Sequence, residues 1–207
     1  MTATTVETDF IHVFEPGSDP TRRPLLLLHG TGGDERDLLP LGRTVAPGAS
    51  LLSPRGKVLE GAAPRFFRRL AEGVFDEADL RRRTDELADF VLWARQLHGL
   101  PAPIALGFSN GANIAAALLQ QRPDILAGAA LLRAMTPFAE PPQADLTGKP
   151  VLILSGALDP IVPKANAETL ARQLGADGAA VEHRVLPAGH GLGQADIGLL
   201  GDWLVRN

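Results

Sequence analysis

The chain has no cysteine. That absence excludes disulfides, thiolate metal sites and a cysteine nucleophile, and it suits a reducing compartment such as the cytoplasm. A basic surplus is also missing. The formal charge is −4 at pH 7, whereas nucleic-acid binders carry an excess of Lys and Arg, so no nucleic-acid partner is expected. No apolar run approaches the length that spans a bilayer, so no membrane role is expected. The opening "MTATTVETDF" has no basic stretch leading into an apolar one, and so does not read as a signal peptide. There is no internal repeat and no low-complexity linker. The Pro-rich "EPPQAD" at 140–145 reads as a loop rather than a domain boundary.

What is present is alternation. With 207 residues and 45% apolar content, the chain fits one domain over 1–207 with a sizeable core. Short apolar runs at Phe10–Phe14, Leu25–His29, Ser50–Ser53, Ile104–Phe108, Ala129–Leu132, Val151–Ser155 and Val181–Leu186 read as strands. Several are continuously apolar, as strands covered on both faces must be. Helices are expected at Arg36–Val45, Glu77–His98, Ala112–Gln121, Lys164–Leu174 and Asp196–Val205. In the longest, Leu80, Thr84, Leu87, Val91, Ala94 and His98 recur at helical spacing, and Gly99-Leu100-Pro101 ends it. This order implies an α/β protein with a mainly parallel sheet of about seven strands, helices on both faces and no large cap. Residues 54–75 form the one long irregular insertion, and such loops are often functional.

One stretch concentrates chemistry. "IALGFSNGANIAAALL" puts a serine between two glycines where a strand reverses into a helix. So tight a reversal forces Ser109 to a positive φ, and small flanking residues let the backbone approach itself. The serine hydroxyl then stands at the carboxyl edge of the sheet, near a helix N-terminus. A serine nucleophile needs a base. Of five histidines, His12 and His183 lie inside expected strands and His98 at a helix end. His29 precedes the serine's strand and reads as structural. His190, in "LPAGHGLG" after the last strand, is the candidate base. Asp159, after Val151–Ser155, is the candidate orienting acid, with Asp145 and Asp177 as alternatives in loops without a strand just before them. The order Ser, Asp, His is that of α/β-hydrolases. Backbone donors for an oxyanion are expected at Asn110 and in the glycine-rich "HGTGGD", at Thr31. That loop lacks the Gly-Lys-Ser/Thr of a phosphate-binding loop.

Together, "LLLLHGTGGDERDLLPL", "GFSNGANIAAALL", "SGALDPIVP" and "AGHGL" resemble the phospholipase/carboxylesterase family of α/β-hydrolases, relatives of dienelactone hydrolase and the acyl-protein thioesterases. The resemblance covers nearly the whole chain. It implies Ser109 as nucleophile, Asp159 as acid, His190 as base, and oxyanion donors at Thr31 and Asn110. "SPRGKVLEGAAPRFFRRLAEGVFDEADL" and "LLRAMTPF" look like a bacterial branch of small carboxylesterases, some of them associated with quinone or aromatic-compound response. Two departures stand out. The thioesterases usually carry Gln after the nucleophile where this chain has Asn110, and dienelactone hydrolase uses a cysteine.

The expected activity is hydrolysis of short-chain or aryl carboxylic esters. Thioester or lactone hydrolysis is the alternative with the same triad, and a catalytically silent binding protein is the rival from another class. No metal or organic cofactor is implied. The expected partner is a small-molecule ester, and the expected state a cytoplasmic monomer or homodimer. Four residues are candidate pocket walls. Phe66 and Phe67 lie in "RFFRR", whose arginines either recognise an acidic or aromatic substrate or are solvated and paired with Glu72, Asp76 and Glu77. Arg133 and Met135 follow the strand Ala129–Leu132.

Overall fold

The computed structural model describes residues 8–207. Seven strands form one sheet: β1 (His12–Glu15), β2 (Leu25–Leu28), β3 (Leu51–Pro54), β8 (Ile104–Phe108), β9 (Gly128–Leu132), β10 (Pro150–Gly156) and β11 (Ala180–Leu186). Their spatial order is β1-β3-β2-β8-β9-β10-β11. β1 runs antiparallel to β3, and every other pair is parallel.

The helices are α1 (Leu39–Val45), α2 (Glu77–His98), α3 (Asn110–Gln121), α4 (Lys164–Ala176) and α5 (Gln194–Arg206). One face of the sheet packs on α2, α3 and α4 through Leu80, Leu87, Ile114, Leu118 and Leu170. The other packs on α1 and α5 through Leu39, Val45, Leu200 and Trp203. The four leucines of β2 show why a central parallel strand reads as an unbroken apolar run. Leu26 and Leu28 enter the first core, Leu25 and Leu27 the second, and all four are buried. Each such side chain contributes about 1.5–3 kcal/mol by leaving water.

Local signals set the element ends. Asp76 caps α2 by accepting the Asp79 N–H, and Gly99 closes it in the left-handed region at φ 64°. The expected stripe of α2 is buried from Leu80 to Ala94, while His98 stacks on Phe14. The strands and helices fall where the sequence places them, with ends moved by a few residues. Residues 54–75 differ more. They are not irregular but fold into two short hairpins, β4 (Val58–Glu60) with β5 (Ala63–Arg65), and β6 (Arg69–Ala71) with β7 (Val74–Phe75). Gly61 and Gly73 supply the positive φ that their two-residue turns require.

The sheet grows outward in both directions from β2 and β8. The loops leaving the carboxyl ends of these neighbours therefore diverge, and a crevice opens between them. The candidate site lies there.

Candidate active site

Ser109 sits between β8 and α3 at φ 52°, ψ −114°. A non-glycine residue in that region is strained by roughly 1–3 kcal/mol. The neighbours explain both glycines. A Cβ on Gly107 would lie 2.6 Å from the Gly111 carbonyl oxygen, and one on Gly111 would lie 2.0 Å from that of Leu28. Neither backbone can retreat, so only glycine fits. Backbone hydrogen bonds hold the turn: the Ser109 N–H donates to Leu132 O, and the Asn113 N–H to Ser109 O.

The structure brings three of the expected residues into line. Ser109 Oγ lies 2.9 Å from His190 Nε2, and His190 Nδ1 lies 2.8 Å from Asp159 Oδ2. This network assigns the proton to Nδ1, which donates to the carboxylate, and leaves Nε2 to accept from the serine hydroxyl. Burial pushes the Asp159 carboxyl upward. The N–H groups of Val162 and Ile161, with His190, outweigh that and hold it below the usual carboxylate value. Asp159 is therefore ionised across the neutral range. The alternatives are occupied elsewhere. Asp145 accepts the Thr147 N–H of its own loop, and Asp177 caps the end of α4.

His29 is a structural residue. It is 1% exposed, its Nδ1 donates to Gly30 O, and its Nε2 accepts the Gly56 N–H. Burial lowers its pKa and keeps the ring neutral. It thereby ties the 30–33 loop to the segment entering the hairpins. A second serine–histidine hydrogen bond joins Ser155 to His183 at 2.7 Å. Those residues lie on the neighbouring strands β10 and β11. Ser155 is 2% exposed and, among the described residues, no carboxylate bonds His183, so this pair lacks substrate access and an orienting acid there.

Thr31, Ser109 and Asn110 line one small cleft together with Arg65, Met135 and Ile161. The backbone N–H groups of Thr31 and Asn110 have no hydrogen-bond partner among the described residues, as donors reserved for a ligand would not. The cleft holds about 30 Å³, room for roughly two water molecules.

Of the four candidate wall residues, Met135 lines the cleft. Phe66 and Phe67 do not. They are 2% and 0% exposed and belong to the core under the hairpins. Two large apolar side chains gain more there than at a wet edge. Arg133 borders the cleft, but its guanidinium is fully committed. It is 0% exposed, bonds both Asp196 oxygens at 2.8 and 3.0 Å, and donates to the carbonyls of Leu154, Gly189 and Gly191. Gly189 and Gly191 flank His190, so Arg133 grips the histidine loop on both sides. A positive φ of 58° turns it inward from the end of β9.

The outer arginines of "RFFRR" are paired: Arg68 with Asp76, and Arg69 with Glu60 and Glu72. Arg65 is not a surface residue. It is 3% exposed and donates to Thr31 Oγ1 and Phe67 O. Sequence reasoning missed the burial of Arg65 and the Arg133–Asp196 pair. The one available signal for the second was an arginine directly after an apolar strand at the carboxyl edge.

A parallel sheet with a strained serine at the turn after β8, followed in chain order by an acid and a histidine after later strands, defines an α/β-hydrolase, and the chain belongs to that family. The α/β hydrolase fold is matched over residues 53–149. Individual relatives narrow the match. The chain is 46% identical over 194 residues, 93% of its length and 96% of the relative's, to MhqD of Bacillus subtilis (strain 168), provisionally named a hydrolase. Among solved structures it is similar to a carboxylesterase of Bacillus cereus, with 44% identity, a TM-score of 0.93, and coverage of 96% of this chain and 94% of that one. It is also similar to a carboxylesterase of Mesorhizobium loti, with 34% identity, a TM-score of 0.91, and coverage of 98% and 97%.

Proposed function

We propose that the chain is a serine carboxylesterase that cleaves short-chain or aryl carboxylic esters through an acyl-enzyme on Ser109. The observation that carries this reading is the continuous line from Ser109 Oγ through His190 to Asp159 at the elbow. Ser109 attacks the ester carbonyl while His190 Nε2 takes its proton and then delivers it to the leaving alcohol. Asp159 fixes the imidazole tautomer and stabilises the imidazolium. The tetrahedral oxyanion accepts from the backbone N–H groups of Thr31 and Asn110, each donor being worth about 3 kcal/mol in the transition state. Water, activated by the same histidine, releases the acid. The small cleft, edged by Met135 and Ile161, favours small acyl groups.

The carboxylesterase names of the Bacillus cereus and Mesorhizobium loti relatives support the reading. The chain works as one domain over 1–207, as a monomer or homodimer. Its setting is read as cytoplasmic from the lack of cysteine. Among the described residues no helix is long and apolar enough to cross a membrane.

The test is turnover of p-nitrophenyl acetate by the parent and by Ser109→Ala. The variant should keep its circular dichroism and lose roughly four orders of magnitude in kcat or more. A folded variant retaining above about a tenth of parent activity would place the nucleophile elsewhere.

A further inference from the structure

Two hydrogen-bonding groups on residues that line the cleft are left over by the ester chemistry. The first is Arg65. Its Nε donates to Phe67 O at 3.2 Å and its Nη1 to Thr31 Oγ1 at 2.8 Å, with Glu60 Oε2 3.4 Å from Nη1. Nη2 has no partner among the described residues. The second is the amide of Asn110. Its Oδ1 accepts the Phe66 N–H at 2.8 Å, which fixes the orientation of the amide, and its Nδ2 is buried with no partner. Leaving such a donor buried and unpaired is costly, and more so beside a charge. Both residues line the cleft with Ser109.

Around the cleft four acids, Glu60, Glu72, Asp159 and Asp196, face three arginines, Arg65, Arg69 and Arg133, and the two signs differ in depth. Glu60 and Glu72 lie at the rim, with side chains 44% and 61% exposed, and both bond Arg69. Solvent screens charges so placed. Asp159 is buried on the far side of the His190 ring, where Nδ1 and the loop N–H groups hold it. Arg133 is matched by Asp196. Arg65 is thus a buried cation lining the cleft, with Glu60 at 3.4 Å and Glu72 beyond ion-pair distance, both of them exposed. Burial pulls its pKa below the ordinary arginine value, and neighbouring Arg69 lowers it further while Glu60 and Glu72 act the other way.

We infer that Arg65, with the Asn110 amide, forms a carboxylate subsite beside Ser109, so that the preferred substrates are esters whose acyl half carries a second, ionised carboxyl group. The inference rests on the esterase reading and names its substrate class. A guanidinium and an amide N–H together suit the two oxygens of a carboxylate. Arg65 already bonds the side chain of Thr31, the proposed oxyanion donor, which brings the two functional groups of the substrate close together. Monoesters of four- and five-carbon dicarboxylic acids are the simplest substrates of that class.

The experiment compares ethanol release from monoethyl glutarate and diethyl glutarate, with p-nitrophenyl acetate as a neutral reference. The parent should prefer the monoacid in kcat/KM by about tenfold or more, mainly through KM, as expected for a charge-assisted contact. In Arg65→Gln the acid-to-neutral ratio should fall by about tenfold, whatever the variant does to the neutral ester alone. A parent without the preference overturns the subsite. So does a variant whose activity falls equally on both esters, because Arg65 then only supports the Thr31 loop. If Arg65→Gln does not fold, the parent decides alone: glutarate must compete with p-nitrophenyl acetate where neutral glutaramide does not. Failure of the esterase reading is separate, since the neutral reference ester would then not be cleaved either.

Discussion

Arg65 and Arg133 are both buried, both border the candidate site, and have opposite surroundings. Arg133 meets a bidentate aspartate and three carbonyls. Arg65 meets one threonine, one carbonyl and a rim glutamate at 3.4 Å. A buried charge whose donors are all satisfied inside the fold builds structure. One whose donors are left over is available to a ligand. Position beside the cleft does not separate the two cases; the count of partners does.

The largest effect that could break this contrast is at Arg133. Removing one member of a buried ion pair leaves the other unpaired and costs about 3–5 kcal/mol. Arg133→Met should therefore lower stability in urea by that order and reduce kcat by about a hundredfold, because displacing a catalytic base by about 1 Å is that costly. Adding Asp196→Leu should restore much of the stability but not kcat, since the carbonyls beside His190 stay ungripped. Full recovery of kcat would reduce Arg133 to a stability role.

The pH profile sharpens the contrast from another side. Both guanidinium groups stay protonated near neutrality, so neither can bend the profile there. Imidazolium cannot accept the serine proton, so kcat/KM should fall toward acid pH, approaching tenfold per pH unit at the acid end of the limb. Arg65→Gln should show the same limb. A flat profile on a substrate whose chemistry is rate-limiting would remove His190 as the base.

Acyl length probes the wall that Arg65 does not supply. Each methylene buried against Met135 and Ile161 adds about 0.8 kcal/mol, nearly fourfold, until the chain leaves the cleft. In p-nitrophenyl esters assayed below aggregation, kcat/KM should peak between about two and six carbons. A peak at ten or more would require a tunnel in place of the small cleft.

The smallest effect concerns folding. Burial lowers the pKa of His29, His183 and His98. The unfolded chain therefore binds more protons than the folded one as pH falls below the ordinary histidine value, and stability declines there. Between about pH 7.5 and 5.5 the Tm should fall by several degrees, by less in His29→Gln. A Tm independent of pH over that range would contradict neutral burial of these rings.

These residues also show how much the sequence discloses. The seven strands and five helices are legible because each is a periodic or unbroken apolar run, and burial follows directly from such patterns. The elbow is legible because Gly107 and Gly111 are forced by backbone contacts within a few residues. Ser109, Asp159 and His190 are legible because each follows a strand end. The hairpins of 54–75 had their turn glycines, Gly61 and Gly73, but strands of two or three residues carry too little alternation to be seen. Phe66 and Phe67 went to the core because nothing local says which face of a short hairpin is covered. Arg133 meets Asp196 across 63 residues, and no spacing rule reaches that far. Arg65 and the Asn110 amide are defined by what they lack, which only the packed structure reveals.

The proposed esterase chemistry requires Ser109, and no other serine, as the nucleophile. Labelling with a fluorophosphonate followed by peptide mapping tests it most directly. One stoichiometric adduct is expected on Ser109, absent in Ser109→Ala and slowed in His190→Ala. An adduct on Ser155, or none on a folded protein, would contradict it.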